Sequence, residues 1–249
     1  MRFAANLTLM FTELPFFERF PAAADAGFQA VEILFPYEQS AGQIREALDR
    51  NNQHLVLINA PPLADADRMR GFGALPGAEA KFRDDLNYVL DYAGQLKPDH
   101  IHVMAGYTDA KGAEDVFVSN LQWVADQAPH RNFTIEPLNR GDQPGYFLAD
   151  YAVAANILSR VGRPNVQLQY DSYHAQTIHG DALAVWNRYH DLVGHVQIGD
   201  TPGRSEPGKG TVDFAALFEA IEASGYSGWI SAEYTPSTKA TADSLDWMN

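Results

Sequence analysis

The feature that most constrains this chain is an alternation of strand-like and helix-like segments, repeated eight times without a break. "RFAANLT" reads as a short strand, and "LPFFERFPAAADAGF" as a helix stopped at Gly27, since glycine past the last turn is a common helix end. "FQAVEILF" and "HLVLINA" are strands flanking a helix over "SAGQIREALDRNN", with Ser40 as its cap. A long loop from Pro61 to about Gly77 precedes the helix "AEAKFRDDLNYVLDYAGQL". The next strand–helix pairs are "HIHVMAG" with "AEDVFVSNLQWVADQA" and "RNFTIEPLN" with "FLADYAVAANILSRVG". "NVQLQYDSYH" pairs with "DALAVWNRYHDL", and "GHVQIGD" with "VDFAALFEAIEASG", capped near Asp213. "GWISAEYTP" is the last strand, and the tail from about Ala240 is expected to form a short helix.

Strands alternating with helices of this length imply parallel pairing and right-handed crossovers. Eight units in 249 residues match a (β/α)8 TIM barrel, read as one domain over residues 1–249. A doubly wound open sheet is the alternative, but it usually has about six strands. With 46% hydrophobic and 20% charged residues, the chain has the profile of a folded globular protein. The absence of cysteine excludes disulfides and thiolate metal sites. A net charge of −14 repels phosphate backbones, so nucleic acid is not an expected partner. "MRFAANLTLMF" lacks the pattern of a secretory leader, and no apolar run approaches about 20 residues. No membrane partner is therefore expected, and the cytoplasm is the expected location. The sequence leaves open a homo-oligomer.

In a barrel of this kind the active site lies at the carboxyl ends of the strands. The stretch "HVQIGD" shows the consequence. Alternation puts Val196 and Ile198 on one face, and His195 and Gln197 on the other. An amide near the end of a strand face that should be apolar needs a reason. The neighbouring strands supply one, because they end in Glu136 ("TIEPLN"), Asp171 ("LQYDSYH") and Glu233 ("SAEYTP"). A lone acid at a strand end is most often a helix cap or a solvated loop residue. Four oxygen donors on four consecutive strands share one mouth once the barrel closes. Three carboxylates there repel one another unless a cation neutralises them. Oxygen donors without sulfur select a hard divalent ion, Mg2+ or Mn2+, and a neutral amide limits the excess negative charge. Asn6, Glu32, Asn59 and His102 end or nearly end the first four strands. His174 follows Asp171 by three residues, and Arg204 follows Gln197 in "DTPGR". A histidine and an arginine beside a metal can hold the oxygens of a small polar substrate. Each, taken alone, is more simply a loop residue.

Two motifs mislead. "GRSEPGKG", residues 203–210, has the spacing of a phosphate-binding loop but ends in Gly210 where a Ser or Thr is required. "GFGALPG", residues 71–77, is one residue off a dinucleotide fingerprint and follows a loop rather than a strand.

Several contiguous stretches together resemble the hydroxypyruvate isomerase family, within the wider xylose-isomerase-like barrels. They are "RFAANLTLMF", "AGFQAVEILFPYE", "LPGAEAKFRD", "IEPLNRGDQPGYFL", "QYDSYHAQ", "GHVQIGDTPGRSEPGKG" and the closing "YSGWISAEYTPS". The resemblance runs nearly end to end and implies a (β/α)8 barrel. It implies that Glu136, Asp171, Gln197 and Glu233 coordinate one divalent metal, and that Glu136 and Glu233 are the acid/base pair. It implies substrate contacts for His174 and Arg204 and keeps Arg70 beside the mouth, where Asn59 and His102 are further candidates by their strand-end positions. The implied activity is interconversion of hydroxypyruvate and tartronate semialdehyde, with 2-oxo-tetronate isomerisation or ketose 3-epimerisation as the alternatives on the same scaffold. Two departures bear on substrate choice. The loop "PPLADADRMRGFG" keeps Arg70 and Gly71 but loses the family's Trp and Glu, and Thr235 stands where a Lys is usual.

Other readings fare worse. A DNA-repair nuclease of this barrel type needs several metals and more histidines, where Asn59 and Gln197 stand here, and an acidic chain repels DNA. A non-catalytic sugar-binding or scaffold protein would be expected to lack part of the ligand set, which is complete.

Overall fold

Helix boundaries follow local side-chain chemistry. In the computed structural model, which describes residues 1–60 and 70–248, most helices start at a residue whose side chain takes up free backbone N–H groups. Ser40 accepts from Gln43 N ahead of α2 (Ala41–Arg50), and Asp150 from Ala152 N and Val153 N ahead of α5 (Tyr151–Val161). Asp181 caps α7 (Ala182–Tyr189) and Asp213 caps α8 (Phe214–Ala223). Helix α1 (Arg19–Asp25) carries Pro21 within its first turn, where a missing N–H costs nothing, and is preceded by a 3-10 turn at Phe16–Glu18. It stops at Gly27, whose φ of 96° lets Phe28 N bond back to Ala23 O. The longest helices are α3 (Glu79–Leu96) and α4 (Ala113–Gln127).

The structure corrects the sequence reading after the sixth strand. "NVQLQYDSYH" does not run on as one strand. Strand β6 ends at Asp171, and Ser172–His179 form an extra helix, α6. Asp171 causes the switch, because its carboxylate accepts the N–H of Tyr173 at 2.8 Å and so caps the new helix. His174 therefore sits in a rigid first turn instead of a loop. The helix expected over "FLADYAVAANILSRVG" likewise starts only at Tyr151, after the Asp150 cap. The tail, expected to form a short helix, forms two short 3-10 turns, Thr241–Ser244 and Asp246–Met248.

The strands are β1 (Phe3–Asn6), β2 (Ala30–Ile33), β3 (His54–Asn59), β4 (His100–His102), β5 (Asn132–Ile135), β6 (Val166–Asp171), β7 (Val193–Ile198) and β8 (Ile230–Ala232). Each pairs in parallel with the next, and β1 pairs with β8 through Phe3↔Ile230, so the barrel closes. Outward residues such as Val31, Ile135, Val196 and Ile198 pack under the helices in one continuous apolar core. Register sets the inward layers. Gln169 lies opposite His195, and Asp171 opposite Gln197, which is opposite Ser231. Among the described residues, no helix is long and apolar enough to cross a membrane.

Candidate active site

The inward faces of the strands carry polar side chains in pairs spaced by two residues. They are His100 and His102, Thr134 and Glu136, Gln169 and Asp171, His195 and Gln197, and Ser231 and Glu233. All but His100 are buried below a tenth of their full exposure. Barrel interiors are ordinarily filled by branched apolar residues, so this lining is exceptional for the fold.

At the mouth, ligand atoms of Glu136, Asp171 and His174 lie within 4.8 Å of one another. Glu233 is not part of that compact group, because its Oε1 is turned to Arg204 Nη2 at 2.9 Å. The same Nη2 donates to Asp171 Oδ2 at 2.7 Å, so one guanidinium nitrogen bridges two of the expected ligands. Arg204 Nε also donates to Glu233 O at 3.2 Å. Gln197 reaches the group through Gln169, whose amide donates to Gln197 Oε1 at 2.7 Å and to Glu136 Oε2 at 2.9 Å. His174 Nδ1 accepts the backbone N–H of Asn139 at 3.0 Å. Nε2 faces Arg204 Nη1 at 3.4 Å, Asp171 Oδ2 at 3.7 Å and Glu136 Oε1 at 3.9 Å. His174 thus presents Nε2 to the mouth.

Asn59 and His102 pair with each other, Nδ1 to Oδ1 at 3.2 Å, and His102 Nδ1 lies 3.5 Å from Glu136 Oε2. Arg70 stacks its guanidinium over the Phe35 ring at 6.0 Å and has no carboxylate partner among the described residues. The altered loop beside it, residues 61–69, lies outside the described residues. Thr235 N donates to Arg204 O at 2.9 Å, which ties the segment after β8 to the loop that carries Arg204.

That loop disposes of the phosphate-binding motif. Gly208 N and Gly210 N both donate to Asp200 Oδ2, at 3.0 and 2.7 Å, while Thr201 N and Val212 N donate to Oδ1 at 2.8 and 3.0 Å. The amides that would cradle a phosphate are spent on the protein's own carboxylate. The loop is a built clamp that holds Arg204, itself in the left-handed region at φ 51°, over the mouth.

Electrostatics mark the mouth as charge-poor in compensation. Burial pushes the Glu136 carboxyl well above the usual range, and the neighbouring Glu233 and Asp171 charges push it further. Burial raises Glu233 as well, against the pull of Arg204. Asp171 is pushed up to about 6 by burial, again opposed by Arg204. Burial and the Arg204 charge hold His174 well below its usual value, and burial brings His102 down to about 3, so both rings are neutral. Three acids face one arginine that they share. Glu136 Oε1 and Glu233 Oε2 are also buried without a hydrogen-bond partner. Unsatisfied buried carboxylate oxygens are costly, and a cation is what this donor set accommodates. The buried Glu136, Asp171 and His174 group fits a divalent ion, with Gln197 and Glu233 adjoining it.

Sequence reasoning placed Asn6, Glu32 and His195 on their strands but missed that they join in a layer beneath the mouth. His195 Nε2 lies 2.8 Å from Glu32 Oε2, while Asn6 Nδ2 and Gln197 Nε2 donate to Glu32 Oε1 at 2.7 and 2.9 Å. Gln169 joins the two layers. The period-2 alternation of "LQYD" was the available signal, since it puts Gln169 on the face of Asp171.

Comparison with known proteins agrees with this geometry. A family model described as xylose isomerase-like TIM barrel matches residues 20–249. A 2-oxo-tetronate isomerase from Cupriavidus necator is 42% identical, over 99% of this chain and 97% of its own length. The hydroxypyruvate isomerase of Escherichia coli is 36% identical, over 100% of this chain and 98% of its own. A Brucella melitensis crystal structure described as AP endonuclease, family 2, superposes with a TM-score of 0.95 at 42% identity, covering 99% of this chain and 97% of that one. A closed eight-stranded barrel with a buried acidic mouth, matched end to end by these relatives, makes the chain an isomerase and a member of the xylose isomerase-like TIM barrel family.

Proposed function

We propose that the chain, as one barrel unit, is a metal-dependent isomerase of a small 2-oxo hydroxy acid. It interconverts hydroxypyruvate and tartronate semialdehyde or acts on the closely related 2-oxo-tetronates. Glu136, Asp171, Gln197 and Glu233 hold the ion, Mg2+ or Mn2+. Glu136 and Glu233 exchange protons with the substrate. His174 and Arg204 contact it, and Asn59, His102 and Arg70 line its approach. The carrying observation is that Glu136 Oε1 and Glu233 Oε2 are buried and have no hydrogen-bond partner, while the Glu233 charge helps raise the Glu136 carboxyl.

The chemistry asked of these residues is modest in atoms and demanding in charge. One proton leaves the hydroxyl-bearing carbon and one returns to the former carbonyl carbon, while a hydroxyl proton passes between the two oxygens. A carboxylate on one side takes the carbon-bound proton, and its counterpart delivers the second. Burial holds the Glu136 and Glu233 carboxyls well above the usual carboxylate range, which suits groups that must both take and give a proton. A divalent ion, when bound, supplies stabilisation of the negative charge that develops on the enediolate oxygens. His174 presents Nε2 toward the substrate oxygens, and Arg204 lies beside it with Nη1 at 3.4 Å. Its charge is partly taken by Asp171 and Glu233, which leaves Arg70 as the cation suited to a substrate carboxylate.

The test is proton NMR in heavy water with Mg2+, or a quenched assay with Mn2+. Hydroxypyruvate and a 2-oxo-tetronate are compared with fructose and tagatose. Deuterium incorporation and product from an acid, lost in Glu136→Gln and in Glu233→Gln, is the expected result. Faster turnover of a free ketose than of either acid overturns the substrate class, and full activity in both variants overturns the assigned chemistry.

A further inference from the structure

We infer that the buried layer beneath the mouth, Glu32 with His195 and Gln169, fixes which atom of the Gln197 amide faces the metal position, and so sets metal affinity without touching the ion. The inference rests on the ligand set proposed above.

An amide presents an oxygen at one end and N–H groups at the other, and only the oxygen can ligate a hard cation. Left to itself, Gln197 could turn either end upward. Its partners decide. Glu32 receives three donors: Asn6 Nδ2 at 2.7 Å and Gln197 Nε2 at 2.9 Å on Oε1, and His195 Nε2 at 2.8 Å on Oε2. A group surrounded by donors acts as the acceptor. Gln197 must therefore turn its nitrogen down to Glu32, which turns Oε1 away from it.

Gln169 is held by the same logic from the other side. Its nitrogen faces the carboxylate oxygen Oε2 of Glu136 at 2.9 Å, and its oxygen accepts from Thr134 Oγ1 at 2.7 Å. The second N–H then reaches Gln197 Oε1 at 2.7 Å. Two acidic anchors, Glu32 below and Glu136 at the mouth, fix two glutamine amides between them in one sense.

This explains an otherwise unfavourable feature. Glu32 and His195 are fully buried in the barrel interior, 163 positions apart in sequence. A buried pair of this kind is weak evidence for stability, because an apolar replacement of both partners is often neutral or better. Orientation of ligands by the groups behind them is a better-attested use, and losing such a group typically weakens metal binding by about 10- to 100-fold.

The experiment uses the full chain, stripped of metal and titrated with Mn2+ by electron paramagnetic resonance, with the melting temperature of the metal-free form measured alongside. Glu32→Gln keeps size but leaves a single uncharged oxygen for the three donors, so the hold on the Gln197 nitrogen weakens. The expected result is a 10- to 100-fold weaker Mn2+ affinity, with turnover at saturating Mn2+ recovering to within about threefold of the unsubstituted protein. Gln169→Met removes both N–H donors, keeps the chain length and should weaken Mn2+ affinity about tenfold; it serves as the second probe if Glu32→Gln misfolds. A metal-free variant that melts normally yet binds Mn2+ weakly separates positioning from simple destabilisation. If the unsubstituted protein binds Mn2+ and both folded variants bind it equally well, the inference is overturned while the ligand set stands. If the unsubstituted protein does not bind Mn2+, the ligand set fails and takes the inference with it.

Discussion

Asp200→Asn tests whether the loop over the mouth is a clamp or a passive connection. The buried carboxylate accepts four backbone N–H bonds, two on each oxygen, at 2.7 to 3.0 Å. Asparagine keeps one oxygen and turns an NH2 against the other two donors, so two of the four bonds are lost. Hydrogen bonds to a charged group contribute about 1.5–3 kcal/mol each, and some of the freed amides can be rehydrated, so the net loss is roughly 3 kcal/mol. The loop cannot shed this locally, because Thr235 N donates to Arg204 O and Ser237 N to Glu206 Oε2, which ties it to the segment after β8. At about 2–4 °C per kcal/mol for a chain of this length, the melting temperature should fall by about 6 °C or more. Arg204 loses its fixed position at the same time, so KM for the acid substrate should rise by about tenfold. Scanning calorimetry and steady-state kinetics on the same preparation measure both. A melting shift under about 2 °C with KM unchanged would refute the clamp.

Three further expectations follow from the same geometry. Mn2+ affinity should weaken as pH falls from 8 to 5: the Asp171 carboxyl, pushed up to about 6 by burial, and the Glu136 carboxyl, which burial also raises, take up protons that the cation must displace. Isothermal titration across that range checks it, and pH-independent binding would show that these acids do not ligate. Arg204→Lys keeps the charge but cannot place one nitrogen on Asp171 and Glu233 while a second bonds Glu233 O, so kcat/KM should fall by about 100-fold. Equal kinetics for the lysine form would show that only charge matters there. Gly71→Ala should destabilise by more than about 2 kcal/mol in a denaturant titration, because Gly71 has φ 86° and an added Cβ would lie 2.7 Å from Met104 Cβ.

Much of the fold was legible because it is periodic. Gln197 illustrates this, since alternation in "HVQIGD" put it opposite Val196 and Ile198, and the structure buries those two under helices with Gln197 in the barrel. The helix stop at Gly27 and the caps at Ser40 and Asp213 were legible for the same local reason. The helix α6 was not, because Asp171 serves at once as strand end, helix cap and mouth carboxylate, and alternation over "LQYDSYH" mimics a continuing strand. Of the candidate site, strand-end position marked Glu136, Asp171, Gln197 and Glu233. It did not show that Glu233 leans to Arg204 or that the compact group includes His174.

By itself, the sequence determined what is written in short-range order: eight alternating units, which face of each strand is polar, and where most helices begin. Those depend on side-chain spacing and backbone chemistry within a few residues. Only the tertiary structure decided how the polar faces meet. Closure brings Glu32 against His195 and Gln197, and the clamp at Asp200 sets Arg204 between Asp171 and Glu233. Orientation of an amide and sharing of a guanidinium depend on partners from distant strands, and no local pattern encodes which donors will face which acceptors once the barrel has closed.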